Sequence, residues 1–239
     1  MQRVGLLVPS VNTVVEPEFW RLTPPTASVH SARMRNSTCD VEDSRQMLAH
    51  AERAADEVGS ALVDVVAFAC TASSFVDGRD GEAALHDLIS SAANAPAITT
   101  SGAVAEALKS LGSRRVALYT PYPDELNDHE EEFLATHGIE TVCAYGMGVS
   151  AAVEIADVTS DELREFVDVQ PPPAEADTIF LSCTNLATFE VIRPLEAAYG
   201  LPVVSSNSAT FAAVGRRLGW EIPPVLGALA GRAAAAALT

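Results

Sequence analysis

Short, almost continuously apolar runs alternate along this chain with longer stretches in which apolar residues recur every three or four positions. The first pattern predicts strands buried on both faces and the second predicts amphipathic helices packed over them. Strands are expected at Val4–Pro9, Ser28–Met34, Val63–Ala69, Ala97–Thr99, Val116–Thr120, Thr141–Tyr145, Thr178–Ser182 and Pro202–Ser205. Between them, Glu42–Ser60 carries Met47, Leu48, Ala51, Ala55 and Val58 at helical spacing, and Asp124–His137, Leu186–Tyr199 and Asn207–Leu218 read similarly. Strands and helices in alternation predict an α/β fold with parallel sheets flanked by helices.

The pattern also repeats. Arg3-Val4-Gly5-Leu6-Leu7 resembles Arg115-Val116-Ala117-Leu118-Tyr119, and the run Asp64 to Thr71 resembles the run Asp177 to Thr184, each with a cysteine at a strand end, six residues after an aspartate. Ala95-Pro96 through Leu111-Gly112 likewise matches Leu201-Pro202 through Leu218-Gly219. Three matched segments in matched order indicate a duplication, hence two similar lobes about a pseudo-two-fold axis. The expected lobes are 1–112 plus 207–239, and 113–206, with the chain crossing near Gly112–Arg114 and near Ser205–Asn207. Ligands of open α/β sheets bind at the carboxyl ends of the strands, so the active site is expected in the cleft, with Cys70-Thr71 on one side and Cys183-Thr184 on the other. The duplication predicts equivalent environments for the two cysteines.

Composition narrows the function. A formal net charge of −17, from 15 basic and 32 acidic residues, repels phosphate backbones and anionic headgroups, so no nucleic-acid and no membrane partner is expected. An anionic substrate would have to be held by backbone N–H groups and helix N-termini. No secretory leader or membrane-length run opens the chain, which predicts a cytoplasmic protein with free thiols. Cys39 and Cys143, without repeat partners, are expected to be structural. The five histidines lack metal-ligand spacing, Gly146-Met147-Gly148 is not a dinucleotide fingerprint, and no phosphate loop occurs, so neither metal nor cofactor is expected. Glu130-Glu131-Glu132 reads as a solvated helix face. The sequence leaves assembly as a homo-oligomer open.

A thiolate in the turn after a strand, at the start of a helix, is both nucleophile and base, with its pKa lowered by the helix N-terminus. The small residues after each cysteine, Thr71-Ala72-Ser73-Ser74 and Thr184-Asn185, offer backbone N–H groups to a carboxylate or enolate oxygen. Asn12 suits either the site or a helix cap, and Tyr122, between two prolines, suits either a ligand role or packing.

Pro9-Ser10-Val11-Asn12-Thr13, the two Cys-Thr loops, and Thr120-Pro121-Tyr122 with Leu126-Asn127 together resemble the maleate cis-trans isomerase and arylmalonate decarboxylase branch of the aspartate/glutamate racemase superfamily. The resemblance spans nearly the whole chain. It implies that Cys70 is a nucleophile, that Cys183 is an acid/base, and that Asn12 and Tyr122 hold substrate carboxylate, with Ser10, Thr71, Ala72, Thr184 and Asn185 around them. The decarboxylase keeps only the second cysteine, so two cysteines favour isomerisation of a small unsaturated dicarboxylate through a covalent adduct. One departure stands out: where the isomerases carry an asparagine, this chain has Ala151-Ala152-Val153. The alternatives are a two-thiol racemase or epimerase, an arylmalonate-type decarboxylase, and a carboxylate-binding protein without catalysis.

Overall fold

The computed structural model describes residues 1–231; residues 232–239, assigned above to the first lobe, lie outside the described residues. Among the described residues, eight strands form two four-stranded parallel sheets. The first contains β1 (Gln2–Pro9), β2 (Ala27–Met34), β3 (Val65–Phe68) and β4 (Ala97–Thr99), in the order β2-β1-β3-β4. The second contains β5 (Arg115–Thr120), β6 (Glu140–Gly146), β7 (Thr178–Leu181) and β8 (Val203–Ser205), in the order β6-β5-β7-β8. The orders superimpose element by element, and the registers of the central pairs do too: Leu7 pairs with Phe68 as Tyr119 pairs with Leu181. The duplication read from the sequence is therefore present in the sheets.

Central strands are buried on both faces, as their apolar runs require: every residue of Val65–Phe68 and Thr178–Leu181 is buried. The outer strands β2 and β6 are partly exposed, which explains their mixed composition. The α-helices accompanying the strands are α1 (Val15–Leu22), α2 (Val41–Leu48), α3 (Ala51–Gly59), α4 (Thr71–Phe75), α5 (Gly78–Ala93), α6 (Thr100–Leu111), α7 (Asp124–Thr136), α8 (Ser160–Val169), α9 (Phe189–Tyr199) and α10 (Ser206–Leu218).

Two expected helices have different bounds. The single helix expected over Glu42–Ser60 breaks at Ala49–His50, because its halves follow different surfaces: α2 packs on α4, whereas α3 packs on β1, β2 and α5. The helix expected from Leu186 starts at Phe189. Its start is fixed from outside, since the Glu18 carboxylate on α1 accepts the N–H groups of Thr188 (2.9 Å) and Phe189 (3.0 Å). The helices that follow the last strand of each sheet, α6 and α10, pack on each other between the sheets. Thr210 of α10 donates to the Thr100 hydroxyl of α6 at 3.0 Å, and Thr100 donates to the Phe68 carbonyl of β3 at 2.9 Å. Among the described residues no helix is long and apolar enough to cross a membrane, and no cluster of three or more potential metal ligands occurs.

Candidate active site

The two cysteines leave equivalent strand ends. Ala69 N–H donates to the Leu7 carbonyl and Ser182 N–H to the Tyr119 carbonyl, both at 2.9 Å, one residue before Cys70 and Cys183. Beyond that point the halves diverge, against the expectation of equivalence. Cys70 is extended (φ −144°, ψ 119°) and opens α4, whereas Cys183 has φ 103°. A positive φ on a residue with a Cβ is strained by about 1–3 kcal/mol and must be held by its surroundings. Here Cys183 N–H donates to Ser206 Oγ (3.1 Å) and Cys183 Sγ accepts Asn185 N–H (3.4 Å).

Side chains of the two motifs tie the cysteine loops to each other. Thr71 Oγ1 donates to the same Ser206 hydroxyl at 2.8 Å, and Thr184 Oγ1 donates to the Ala69 carbonyl at 2.9 Å. Asn12 Nδ2 donates to Thr184 Oγ1 (3.1 Å), while its Oδ1 accepts the N–H groups of Val14 (2.9 Å) and Val15 (3.0 Å). Asn12 thus starts α1 and also reaches the site, with one amide hydrogen left for a ligand. Asn185 bridges two more loops, accepting Thr13 N–H at 3.0 Å and donating to the Ala152 carbonyl at 2.9 Å.

Cys70, Cys183, Asn12, Tyr122, Thr71, Ala72, Thr184 and Asn185 all line one cavity. Ser10 does not; its hydroxyl clamps the backbone of Asn36, accepting its N–H (3.1 Å) and donating to its carbonyl (3.2 Å). Other walls were missed in the sequence. Asn36, Thr38, Cys39, Asp43, Ser44 and Met47 come from the segment between β2 and α3, and Leu126, Ala152 and Ile155 close the other side. Cys39, expected to be structural, is a third thiol in the wall. The two loops meet over the cavity as a short strap: Cys39 N–H donates to Ser150 O (2.9 Å), Ala152 N–H donates to Ser37 O (3.2 Å), and Thr38 bridges Ala151. Asp43 pins the strap by accepting the N–H groups of Ser37 (2.9 Å) and Thr38 (3.1 Å). Ala151-Ala152-Val153 therefore contributes backbone and a methyl group where the resemblance leads one to expect an amide.

Among the described residues no lysine, arginine or histidine lines the cavity and the charged side chain in its wall, Asp43, is acidic, so only neutral donors could hold a carboxylate there. Burial pushes the Cys70 thiol up, but the N–H groups of Ser73 and Ala72 and the Ser73 hydroxyl, 3.6 Å away, oppose the shift. Burial pushes Cys183 up to about 12, opposed by the Tyr122 hydroxyl and the Asn185 N–H and reinforced by Cys70 and Glu130. Tyr122 is 2% exposed and its hydroxyl is held well above its usual range, first by burial and then by Cys183 and Glu130.

Glu130 corrects the reading of the acidic run. It is 2% exposed, Oε1 accepts the Ser182 hydroxyl at 2.7 Å, and Oε2 has no partner among the described residues. Glu132 is exposed as expected and Glu131 is half-buried.

A sequence profile of the arylmalonate decarboxylase family matches residues 4–229. The chain belongs to this family. It is 29% identical over 225 residues to a maleate isomerase of Geobacillus stearothermophilus, covering 87% of this chain and 88% of that protein. It is 32% identical over 212 residues to an arylmalonate decarboxylase of Bordetella bronchiseptica, covering 87% of each. In three dimensions it is similar to a cysteine-to-serine variant of the Nocardia farcinica maleate cis-trans isomerase with a covalently bound succinylcysteine intermediate. The TM-score is 0.86 at 25% identity, over 92% of this chain and 94% of that one. The Nocardia isomerase shares the two-lobed arrangement of parallel sheets described above.

Proposed function

We propose that this chain is a cofactor-independent cis-trans isomerase acting on a small unsaturated dicarboxylate of the maleate type. The observation that carries the reading is the pairing of two thiols of unlike environment in one cavity lined by neutral hydrogen-bond donors and, among the described residues, by no cation. Cys70, partly open and facing the first N–H groups of α4, is suited to attack; Cys183, buried and retaining its proton to about 12, is suited to give one.

The bond changes then balance without a redox step. The Cys70 thiolate forms a C–S bond to one alkene carbon, and the π pair moves to the other carbon and takes the proton of Cys183. The product is a thioether, a succinyl group on Cys70, whose central C–C bond is single and rotates. The Cys183 thiolate removes a proton, the new double bond forms in the trans geometry, and the C–S pair returns to sulfur. Asn12, Tyr122 and the N–H groups around Thr71, Ala72, Thr184 and Asn185 hold the carboxylates and the charge that builds on them. The Nocardia intermediate, a succinyl group on cysteine, is the species this sequence of steps requires.

Proton NMR of the purified protein with maleate tests the reading: conversion of the maleate vinyl signal to that of fumarate, with no added cofactor, is the expected result. The identity to the Bordetella enzyme and the apolar wall of Met47, Leu126 and Ile155 favour a second reading, decarboxylation of an arylmalonate with Cys183 as the proton donor. Loss of carbon dioxide from phenylmalonate, with maleate unchanged, would select it.

A further inference from the structure

The carboxyl of Glu130 belongs neither to the cavity wall nor to the protein surface. It projects from α7 on the same side as Leu126, which lines the cavity, and Asn127, whose Oδ1 accepts the Thr120 hydroxyl at 2.6 Å. Among the described residues, the carboxyl's one hydrogen bond comes from Ser182, the residue immediately before Cys183. A buried carboxylate with one oxygen unpartnered is an expensive group to keep unless something requires it.

We propose that Glu130 is a positioning residue that governs the proton affinity of Cys183 from behind the cavity, through Ser182: uncharged, it lets the Cys183 thiolate form, and once ionised it opposes it. Two buried negative charges repel, so a Glu130 carboxylate raises the proton affinity of the Cys183 sulfur. The isomerase needs that thiolate only briefly, to take back the proton it has given, and a permanent charge at Glu130 would penalise each such step.

The surroundings fit a carboxyl left neutral. Burial is the main influence and pushes it up to about 8; Ser182 opposes, Glu131 reinforces, and no basic side chain acts on it. Tyr122 and Cys183 are the groups that feel its charge. On β7 its neighbour is Ser182, and α4 carries no charged residue. The charges between α7 and the start of α5, namely Arg45, Asp77, His129 and Glu132, line a separate surface cleft. On β6, Cys143 is acted on by Glu131 rather than by Glu130.

The inference rests on the two-thiol reading of the site, so its test uses a readout other than turnover. The rate of Cys183 alkylation by iodoacetamide, followed on its tryptic peptide by mass spectrometry from pH 6 to 10, reports the thiolate fraction. Wild type should rise tenfold per pH unit and then flatten near pH 8, where Glu130 ionises. Glu130→Gln should rise without a break and exceed wild type at pH 9.5 by roughly tenfold, the effect of a like charge worth about one pKa unit. Ser182→Ala keeps the carboxyl but removes the hydrogen bond that favours its charge, so its break should move to higher pH. A merely structural role for Glu130 would change neither slope nor break. Superimposable profiles of wild type and Glu130→Gln, or a Cys183 unreactive up to pH 10 in both, would overturn the proposal. Maleate left unconverted with the break in place would sink the isomerase reading alone, and conversion with identical profiles would sink this one alone.

Discussion

Glu130→Gln should also change how the stability of the fold depends on pH, and the size of that change follows from the burial of one carboxyl. Glutamate ordinarily titrates at 4.5, and burial holds Glu130 protonated to about 8. Between those values the native state binds a proton that the unfolded chain has released, so stability falls as pH rises. The fall is about 1.4 kcal/mol per pH unit, or about 5 kcal/mol over the window, present in full below 4.5 and lost through 8. Glutamine has the shape of the protonated acid and does not titrate, so this contribution disappears. Its amide N–H groups lack an acceptor where Oε2 is unpartnered, which costs about 1–3 kcal/mol at every pH. The variant should therefore be less stable than wild type at pH 5 and more stable at pH 8.5. Urea unfolding followed by circular dichroism at both values measures the crossing, and other titrating groups, Glu18 among them, cancel in the difference. Parallel curves for the two proteins from pH 5 to 8.5 would show that Glu130 is ionised in the native state, and the reasoning would fail.

The two thiols should separate by mutation. Cys70→Ser should abolish isomerisation and adduct formation together, because an alcohol with no strong base beside it is a far weaker nucleophile than a thiolate. Cys183→Ser should instead let a succinyl adduct accumulate on Cys70, visible as added mass, and an adduct on wild-type Cys183 would reverse the roles. Gly146→Ala should lower turnover at least tenfold, read from initial rates, because a Cβ at Gly146 would overlap the Tyr122 carbonyl oxygen and lie 2.6 Å from Asn127 Nδ2, displacing the tyrosine. With a net charge of −17 repelling a dianion, raising NaCl from about 0.01 to 0.15 M should increase kcat/KM severalfold with kcat nearly constant, since the Debye length shrinks from about 30 to 8 Å. A decrease in kcat/KM would point to local attraction that the cavity walls do not supply.

What was legible in the sequence follows from what repeats and what is buried. The strands could be placed because two-sided burial leaves an unbroken apolar run, and Cys70 and Cys183 could be paired because they close equivalent runs. The apolar pattern does not single out helices α1, α5 and α8. For α8 the signal existed: Thr159 and Glu162 form a capping box, with the Glu162 N–H donating to Thr159 Oγ1 at 3.2 Å. The strap was not legible, because Ser37–Cys39 and Ser150–Ala152 lie over 100 residues apart and meet through backbone groups that leave no pattern in side chains. Glu130 was misread for a related reason, since three consecutive glutamates look alike in a sequence while a helix turns each to a different side.

The division of labour between the cysteines is the part of the site that the repeat hides most completely. Duplication predicts two equal thiols, and equal thiols could serve a racemase as opposed bases just as well. The inequality arises after the shared strand ends. At Cys70 burial pushes the thiol up, but the chain continues into α4, so N–H groups converge on the sulfur and offset part of that rise. At Cys183 the backbone turns to φ 103° and the helix is delayed to Phe189 by the Glu18 carboxylate, which takes the N–H groups at its start. The Cys183 sulfur meets the Asn185 N–H and the Tyr122 hydroxyl in a buried corner, and keeps its proton. A fold with two-fold symmetry thus becomes an asymmetric acid and nucleophile through local backbone geometry and one carboxylate from the first helix. Addition followed by protonation requires that asymmetry, whereas proton exchange between two faces of a carbon does not, which is why the structure favours the isomerase over the racemase.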